Sequence, residues 1–513
     1  MNFTDSLRLH ATLYPDRECV LYQERHVSFS QLNTRANKIA HAVHGLGLTR
    51  GDVVAVLLHN CYEWIEIFHA LARIGVTMVP VNYHLVPREI EHIVNNSESK
   101  ALIFGSEFTD RIEQTRANFN EVSEDRLIRI GERGLGREYE SWLAHASSDE
   151  AMVPVNETDV LYLGYTSGTT GFPKGARVMN GTRLAHALLF CHEFHFTGRD
   201  RILINMPLFH SNALVFSNLT IYLGGSAAIM PRFDAEGTLA TMEHYRTTTS
   251  SMVPTQFERI LSLSDDVKNK YDVSSMKTFV CSSSPLHPRT RLSILDFFSR
   301  ADLYEFYGSS EGGVVTLMLP EDHAKKPSSI GRAAFLQRVR LLDDEKKDVP
   351  QGEMGEIYSR GVMQFDGYYK MPEATAEAMH EGFFTAGDMA YMDEEGYFYL
   401  TDRKKDMIIS GAENVYPVEI EQAISLHPKV FEAAVIGVPD KDWGEVPKAI
   451  VVCREGEQVT EAEILEYCQA NLAKYKCPKS VEFMDSLPRN ALGKILKRQL
   501  REKYWEGHDV RIA

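Results

Sequence analysis

Apolar residues recur with two different periods along the first third of the chain. Between residues 29 and 47 they stand three or four positions apart, as on one face of a helix, at Leu32, Ala36, Ile39, Ala40 and Val43. The segment Gly45-Leu-Gly47 ends that pattern. The following residues predict a buried strand over 52–58, a helix over 64–74 and another short strand over 76–81.

The same alternation continues through the middle of the chain. Short apolar runs suited to buried strands recur near Leu102, Ile202, Ala227 and Phe279, with helical patterns between them. Strands and helices that alternate in this way predict an α/β fold with a mostly parallel sheet. The sequence contains no internal repeat and no low-complexity tract.

The pattern changes after about residue 330. Segments 341–349 and 393–399 place turn residues between short β-rich runs, which predicts hairpins and a small β-rich region. The run 401–406 is dense in charge, as is typical of a solvated loop. The last ~110 residues have the usual size of a domain. We therefore predict an N-terminal domain over 1–402 and a C-terminal domain over 403–513.

Composition narrows the class of protein. A chain of 513 residues is too long for one core, and its 44% hydrophobic and 25% charged residues are those of a soluble globular protein. A net charge of −16 argues against non-specific binding to nucleic acid or anionic lipid. The seven cysteines form no C-x-x-C pair, and neither a signal peptide nor an apolar run of ~20 residues is present. We predict a cytoplasmic protein without a membrane span.

The segment 165–175, Tyr-Thr-Ser-Gly-Thr-Thr-Gly-Phe-Pro-Lys-Gly, is the first candidate for chemistry. Its glycines leave the backbone free to turn N–H groups and hydroxyls towards an anion, and Lys174 adds a compact positive charge. It is not a Walker A motif, because Gly175 follows the lysine. An ordinary polar loop between two strands is the alternative interpretation.

Four further segments could join this loop in one site. Glu311 ends the segment 304–311 and could hold a magnesium ion, while Asp388 follows a glycine and could accept hydrogen bonds from ribose hydroxyls. Arg403 lies beside the predicted domain boundary, and Lys494 follows a glycine near the end of the chain. Each alone would be read as a surface charge or a capped turn.

Together these motifs resemble the acyl-adenylate-forming superfamily of acyl-CoA synthetases, adenylation domains and luciferases. The resemblance covers nearly the whole chain, from the 165–175 loop through 206–210, 307–311 and 386–388 to 402–406, 410–417 and Gly493-Lys494. It implies two doubly wound α/β subdomains and a small β-barrel in the N-terminal domain, followed by a small mobile α+β lid. The motifs are closest to those of aryl and medium-chain acyl-CoA ligases.

The resemblance also implies roles for individual residues in the adenylation of a carboxylic acid by ATP. Lys494 would bridge the carboxylate and the α-phosphate, Lys174 would hold the outer phosphates and Glu311 would hold Mg²⁺. The implied ATP and AMP contacts are Thr166, Ser167, Gly168, Thr169, Thr170, Lys174, Ser283, Ser284, Pro285, Glu305, Tyr307, Gly308, Ser309, Ser310, Asp388, Arg403 and Lys494.

In the implied second half-reaction, the lid turns about a hinge at Lys405 and the thiol of coenzyme A attacks the adenylate. The implied contacts of coenzyme A are Ser410, Gly411, Ala412, Trp443, Tyr475 and Lys476. The implied acyl pocket is lined by His210, Pro254, Ser282 and Tyr307. His210 fits equally well as a channel gate or as a cap of a buried loop.

This chain departs from the family pattern in a few places. Ser282-Ser-Ser-Pro285 replaces a Gly-Gly-Ala-Pro motif, which disfavours a very long acyl chain, and Ala412 replaces a glycine. His192 and His195 lie on a predicted helix without a third ligand, so we assign no zinc.

The sequence thus predicts an AMP-forming carboxylate–CoA ligase acting on a medium-chain fatty or aryl acid, as a monomer or homodimer. An acyl-AMP ligase that loads a carrier protein and a non-catalytic adenylate-binding protein remain alternatives.

Overall fold

The computed structural model describes residues 5–132, 134–151, 153–166, 173–284, 286, 288–403, 406, 408–410, 413–440, 443–472, 476–489 and 495–506. The α-helices are α1 (Asp5–Leu13), α2 (Phe29–Gly45), α3 (Glu63–Arg73), α4 (Pro87–Asn96), α5 (Thr109–Thr115), α6 (Tyr139–Leu143), α7 (Asn180–His192), α8 (Ser211–Tyr222), α9 (Ala235–Tyr245), α10 (Pro254–Leu261), α11 (Asp265–Lys268), α12 (Pro288–Phe297), α13 (Pro372–Glu377), α14 (Pro417–Ser425), α15 (Glu461–Asn471) and α16 (Lys497–Trp505).

The strands of the first 342 residues are β1 (Glu18–Tyr22), β2 (Arg25–Ser28), β3 (Val53–Leu57), β4 (Thr77–Pro80), β5 (Ala101–Gly105), β6 (Leu127–Ile130), β7 (Arg137–Glu138), β8 (Val160–Thr166), β9 (Lys174–Met179), β10 (Arg201–Ile204), β11 (Ser226–Ile229), β12 (Thr249–Met252), β13 (Thr278–Cys281), β14 (Asp302–Ser309), β15 (Gly313–Met318), β16 (Arg332–Ala333) and β17 (Gln337–Leu342). The later strands are β18 (Gly355–Gly361), β19 (Met379–His380), β20 (Phe383–Phe384), β21 (Asp388–Met392), β22 (Phe398–Arg403), β23 (Ile408–Ser410), β24 (Glu413–Val415), β25 (Val430–Asp440), β26 (Gly444–Cys453) and β27 (Ser480–Phe483).

Two mostly parallel sheets form most of the N-terminal domain, which confirms the predicted α/β class. One sheet has the strand order β7-β6-β5-β3-β4-β8-β9, and the other has the order β16-β15-β14-β13-β12-β10-β11-β1-β2. In both, the antiparallel pairs lie towards the edges, at β8–β9, β14–β15, β15–β16 and β1–β2. The strands between them are buried on both faces, and β3 and β5 accordingly read as continuous apolar runs, whereas β12 (Thr-Ser-Ser-Met) is buried with hydroxyl side chains.

Local sequence explains where the first elements begin and end. Ser28 caps α2 by accepting a hydrogen bond from the N–H of Gln31, and the Gln31 side chain accepts one from the N–H of Ser28. The apolar stripe predicted over 29–47 lies buried on α2, and the run over 52–58 forms β3. The predicted strands near Leu102, Ile202, Ala227 and Phe279 are also confirmed.

The later part of the chain forms two smaller sheets. Strands β17 to β22 make an antiparallel sheet with the order β19-β20-β18-β21-β22, with β17 paired to β18. This sheet contains the turns of both predicted hairpins. It lies in the part of the chain for which the small β-barrel was predicted. Strands β23 to β27 form the sheet of a small C-terminal domain, and α14 and α16 pack against β25.

Two predictions about local structure are wrong. The charged run 401–406 is not a loop throughout, because β22 continues to Arg403 and pairs with β21. Thr401 is buried there and its hydroxyl donates to the carbonyl of Met389. His195 is not helical either: α7 ends at His192, and His195 has a left-handed φ of 56°.

Across the described ranges, two features are absent: a metal-binding cluster and a membrane-spanning helix. There, His, Cys, Asp and Glu side chains form no group of three or more that could hold a metal ion. No helix of those ranges combines the length and the apolar character needed to cross a bilayer.

Candidate active site

The phosphate-binding candidate follows β8, the second strand from one edge of the seven-stranded sheet. Strand β8 runs parallel to β4 and turns back antiparallel into β9, so that Thr166 pairs with Lys174 across the hairpin. Ligands of α/β proteins bind beyond the carboxyl ends of such strands. Ser167, Gly168, Thr169 and Thr170 lie outside the described residues.

Glu311 is the centre of a cluster of polar groups beside this hairpin. Its side chain is 7% exposed, and its Oε1 accepts hydrogen bonds from the hydroxyls of Thr166 and Tyr368, each at 3.1 Å. Lys174 Nζ lies 5.2 Å from the centroid of the Tyr368 ring. Burial, with the nearby Glu311 carboxylate, raises the pKa of Tyr368 and keeps its hydroxyl a donor.

Within the described residues no cation pairs with Glu311. Among the described residues, the side-chain hydrogen bonds to Glu311 both go to Oε1, and none goes to Oε2. A buried carboxylate flanked by hydroxyls is the type of site that suits Mg²⁺ together with phosphate oxygens. The geometry therefore fits the role predicted for Glu311.

Tyr307 and Asp388 form a second contact between sheets. The Tyr307 hydroxyl donates to Asp388 Oδ2 at 2.7 Å, and Asp388 pairs with Arg403 across β21 and β22. Gly308 allows β14 and β15 to meet, since a Cβ there would lie 2.0 Å from the carbonyl oxygen of Gly313. The Ser309 hydroxyl accepts from the N–H of Gly312, which fixes the turn that contains Ser310 and Glu311.

The loop after β13 brings Ser282 and Ser283 to the same edge. Ser283 has a φ of 74°, a left-handed conformation that favours glycine, and glycine is what the family pattern has there. The Ser282 hydroxyl accepts from the amide of Asn212 at 2.9 Å. Ser284 is half-buried, and Pro285 lies outside the described residues.

Glu305 takes part in a buried ion pair beneath this loop. Arg291 donates to Glu305 Oε2 at 2.5 Å, both side chains are almost fully buried, and Leu286 N–H points at Glu305 Oε1. Burial raises the pKa of Glu305 despite the guanidinium. The side chain thus supports the loop through Arg291 and Leu286, and a nucleotide contact of Glu305 stays a prediction.

His210 caps a helix. Its Nδ1 accepts from the N–H of Asn212 at 3.4 Å at the start of α8, and burial lowers its pKa to about 4. The ring is therefore neutral at neutral pH. Pro254 begins α10, and the amide of Gln256 ties that helix to the carbonyl of Asn205.

The candidate contacts of coenzyme A lie in the C-terminal domain. Ser410 ends β23 and is 8% exposed, whereas Trp443 is 53% exposed. Lys476 forms an ion pair with Glu419. Lys494, Lys405, Gly411, Ala412 and Tyr475 lie outside the described residues.

Three residues of this site were missed by sequence reasoning. Tyr368 contacts Glu311, Arg291 pairs with Glu305, and Asn212 holds Ser282. None lies in a motif that signals chemistry by itself. The segment Asp366-Gly-Tyr-Tyr369 offers only turn-forming residues beside two tyrosines, so nothing local marks Tyr368 as a partner of Glu311.

Taken together, the parallel sheets, the hydroxyl-rich hairpin and the buried carboxylate define a two-domain α/β enzyme of the nucleotide-binding type. The chain belongs to the AMP-binding enzyme family. The family model matches residues 7–369, and the model of the AMP-binding enzyme C-terminal domain matches residues 419–494.

Relatives of known name match over nearly the full chain. Long-chain-fatty-acid–CoA ligase FadD13 of Mycobacterium tuberculosis is 36% identical, covering 97% of this chain and 97% of the relative. Feruloyl-CoA synthase of Amycolatopsis is 35% identical, covering 96% and 97%. The crystal structure of ATP-bound MatB from Rhodopseudomonas palustris superposes with a TM-score of 0.89 at 32% identity, covering 98% and 99%. These similarities support an acid–thiol ligase.

Proposed function

We propose that the protein joins a carboxylic acid to coenzyme A with ATP, releasing AMP and pyrophosphate. A carboxylate oxygen attacks the α-phosphorus, and the bond from that phosphorus to the pyrophosphate oxygen breaks. The thiol then loses its proton and attacks the acyl carbon, and AMP leaves as that carbon–oxygen bond breaks. The observation that carries this proposal is the buried Glu311 carboxylate, which accepts from the hydroxyls of Thr166 and Tyr368, with Lys174 over the Tyr368 ring.

The difficulty of the first step is repulsion between two anions. Positive charge must therefore stand where the carboxylate meets the α-phosphate. We assign that charge to Lys494, and we assign the outer phosphates to the segment 166–170 and Lys174. Asp388, fixed by Tyr307, would accept hydrogen bonds from the ribose hydroxyls, and we assign Arg403, its register partner on β22, to the same ribose.

Mg²⁺ is assigned to Glu311. The metal would neutralise charge on the transferred phosphates when bound. The protein's own contribution is to hold the Glu311 carboxylate in one orientation through the hydroxyls of Thr166 and Tyr368.

The second step is assigned to the C-terminal domain. We place the boundary between residues 402 and 403, with a hinge at Lys405 about which the lid turns once pyrophosphate has left. Trp443 offers an exposed ring to the nucleotide end of coenzyme A. We place the enzyme in the cytoplasm as a monomer or homodimer, acting on medium-chain fatty or aryl acids.

The direct test measures pyrophosphate release from ATP with a panel of acids, with and without coenzyme A, alongside AMP and ADP. We expect AMP and pyrophosphate from acid and ATP alone, and faster turnover with coenzyme A. Formation of ADP and phosphate, or no cleavage with any acid, contradicts the proposal. If a phosphopantetheine carrier protein replaces coenzyme A far more efficiently, the enzyme is instead a carrier-loading ligase.

Lys494→Ala should reduce adenylate formation by several orders of magnitude while leaving transfer from supplied acyl-AMP nearly intact. Lys497→Ala is the matched control, because Lys497 lies three residues away and pairs with Glu421 at 2.8 Å. Lys405→Pro should give the reverse pattern, with adenylation kept and transfer lost. Equal loss of both steps in either variant would remove the role assigned to that residue.

A further inference from the structure

The start of helix α8 is joined directly to the loop that follows β13. Asn212, in the first turn of the helix, donates to the Ser282 hydroxyl at 2.9 Å, and the hydroxyls of Ser282 and Ser283 lie 3.4 Å apart. Ser282 is buried, whereas Ser283 is exposed to solvent. Ser282 belongs to the proposed acyl pocket, so this contact links the helix to the strands at the solvent-facing end of the groove between them.

A second layer of contacts between helix and sheet lies deeper in the same groove. Helix α8 connects the parallel strands β10 and β11 and therefore runs opposite to them, so its later residues lie beside earlier residues of the strands. Phe216 follows Asn212 by four residues, on the same face and about 6 Å further along the helix. Val280 precedes Ser282 by two residues and shares its face of the sheet, with Tyr304 as its register partner on β14.

Aromatic rings fill the space at this deeper layer. The ring of Phe194, which follows α7, lies 6.2 Å from that of Phe216 and 5.2 Å from that of Tyr304, between ring centroids. Phe190 on α7 contacts both Phe216, at 4.5 Å, and Phe194, at 5.3 Å. All four aromatic side chains are buried and belong to one apolar cluster that also contains Val280. Interiors packed in this way accept no extra methylene groups without displacing a side chain.

The two layers limit how far an acyl group can reach along α8. A chain that enters the groove beside Ser282 would meet the Phe216 ring after about 6 Å, one helical turn below Asn212. An acyl part that is a single ring or a short chain ends before this layer. The tail of a straight medium-chain acid would have to displace rings that α7, α8 and β14 hold together.

We propose that Phe216, supported by Phe194 and Tyr304, sets the length of the acyl group, and that the preferred acid is compact: a single-ring aryl acid or a short aliphatic acid. This inference rests on the proposed function, and it narrows the range of medium-chain fatty or aryl acids to its compact end. The side chain of Ser282 acts in the same direction, because the family pattern has glycine in that motif.

The test measures kcat/KM for pyrophosphate release with benzoate, phenylacetate and unbranched acids from butanoate to dodecanoate. The wild-type enzyme should prefer the best compact acid to decanoate by about tenfold or more, since a single misfitting methylene in an apolar pocket already costs about that much. Phe216→Ala should raise kcat/KM for decanoate by about 10- to 100-fold, while the value for benzoate changes little. The preferred chain length should therefore increase.

Phe216→Leu is the milder variant, and it carries the test if the alanine variant does not fold. It should shift the chain-length profile in the same direction by a smaller amount. Phe257→Leu is the matched control, because Phe257 is equally buried but packs on Phe279, at 5.5 Å, in a different apolar cluster. Its chain-length profile should be that of the wild-type enzyme.

Three results overturn the inference while pyrophosphate release still supports the proposed function. They are a wild-type enzyme that prefers decanoate or dodecanoate to every compact acid, Phe216 variants that keep the wild-type profile, and a Phe257→Leu profile that shifts as much as that of Phe216→Leu. Absence of pyrophosphate release with every acid would instead overturn the proposed function, and the inference with it.

Discussion

Tyr368 gives the most specific prediction about the proposed magnesium site. Its hydroxyl donates to the Glu311 carboxylate at 3.1 Å, and the phenylalanine variant removes that donor without changing the ring. Thr166 would then be the single remaining donor to Oε1 in the described part of the chain. The carboxylate would gain rotational freedom and lose part of the support that orients it.

The expected size of the effect follows from hydrogen bonds that orient metal ligands in other proteins. Loss of a partner that orients a metal ligand typically costs 10- to 100-fold in affinity or activity. This corresponds to about 1.4–2.7 kcal/mol, a range that also fits a hydrogen bond to a charged group. Tyr368→Phe should therefore raise the Mg²⁺ concentration needed for half-maximal activity by about 10- to 100-fold.

The assay is pyrophosphate release at saturating ATP and acid over a titration of MgCl₂. Tyr369→Phe is the matched control, because the hydroxyl of this neighbouring tyrosine donates to Glu98 at 2.8 Å and not to Glu311. Its Mg²⁺ dependence should be that of the wild-type enzyme. If Tyr368→Phe titrates like Tyr369→Phe, within about twofold, then Tyr368 does not orient a metal ligand and the reasoning fails.

Three further predictions concern stability. Arg291→Met should lower the free energy of unfolding, measured in urea, by about 3–5 kcal/mol, because it leaves Glu305 buried and unpaired. The double variant Arg291→Met with Glu305→Gln should recover part of this loss, and additive losses would contradict the pairing. Ser283→Gly should relieve left-handed strain and leave the free energy of unfolding within about 1 kcal/mol, whereas Ser283→Val should lower it by more. His323, whose pKa burial lowers to about 4, binds a proton more readily when unfolded. Between pH 7 and pH 5 the free energy of unfolding should therefore fall by about 2 kcal/mol more in the wild-type protein than in His323→Gln. If the two proteins lose the same free energy over this pH range, the reasoning is wrong.

Periodicity was sufficient to predict the fold class, because each central strand is buried on both faces. The run 53–57 has no polar alternation, which is typical of a strand covered on both faces, and its recurrence between helical patterns is what indicates a parallel sheet. The charged run 401–406 shows the limit of the same reasoning. Local composition indicated a loop, but pairing with β21 draws Thr401 and its neighbours into a strand, and that partner lies outside any short window of sequence.

The candidate site was predictable as a set of motifs but not as a set of contacts. Lys174, Glu311 and Asp388 belong to motifs, and those motifs are what make them candidates. Tyr368 and Arg291 act through a partner more than ten residues away, so no local spacing marks them.

The contacts of the site are made between sheets. Thr166 belongs to the sheet of β8, whereas Glu311 follows β14 of the larger sheet, and Tyr307 on β14 reaches Asp388 on β21 of the antiparallel sheet. Each of these two hydrogen bonds joins residues of two different sheets, so one sheet alone supplies only the donor or only the acceptor. A nucleotide held by all three sheets would therefore stabilise their packing by its own binding free energy. This arrangement explains why the motifs lie so far apart in the sequence: each marks the point where one sheet meets the next.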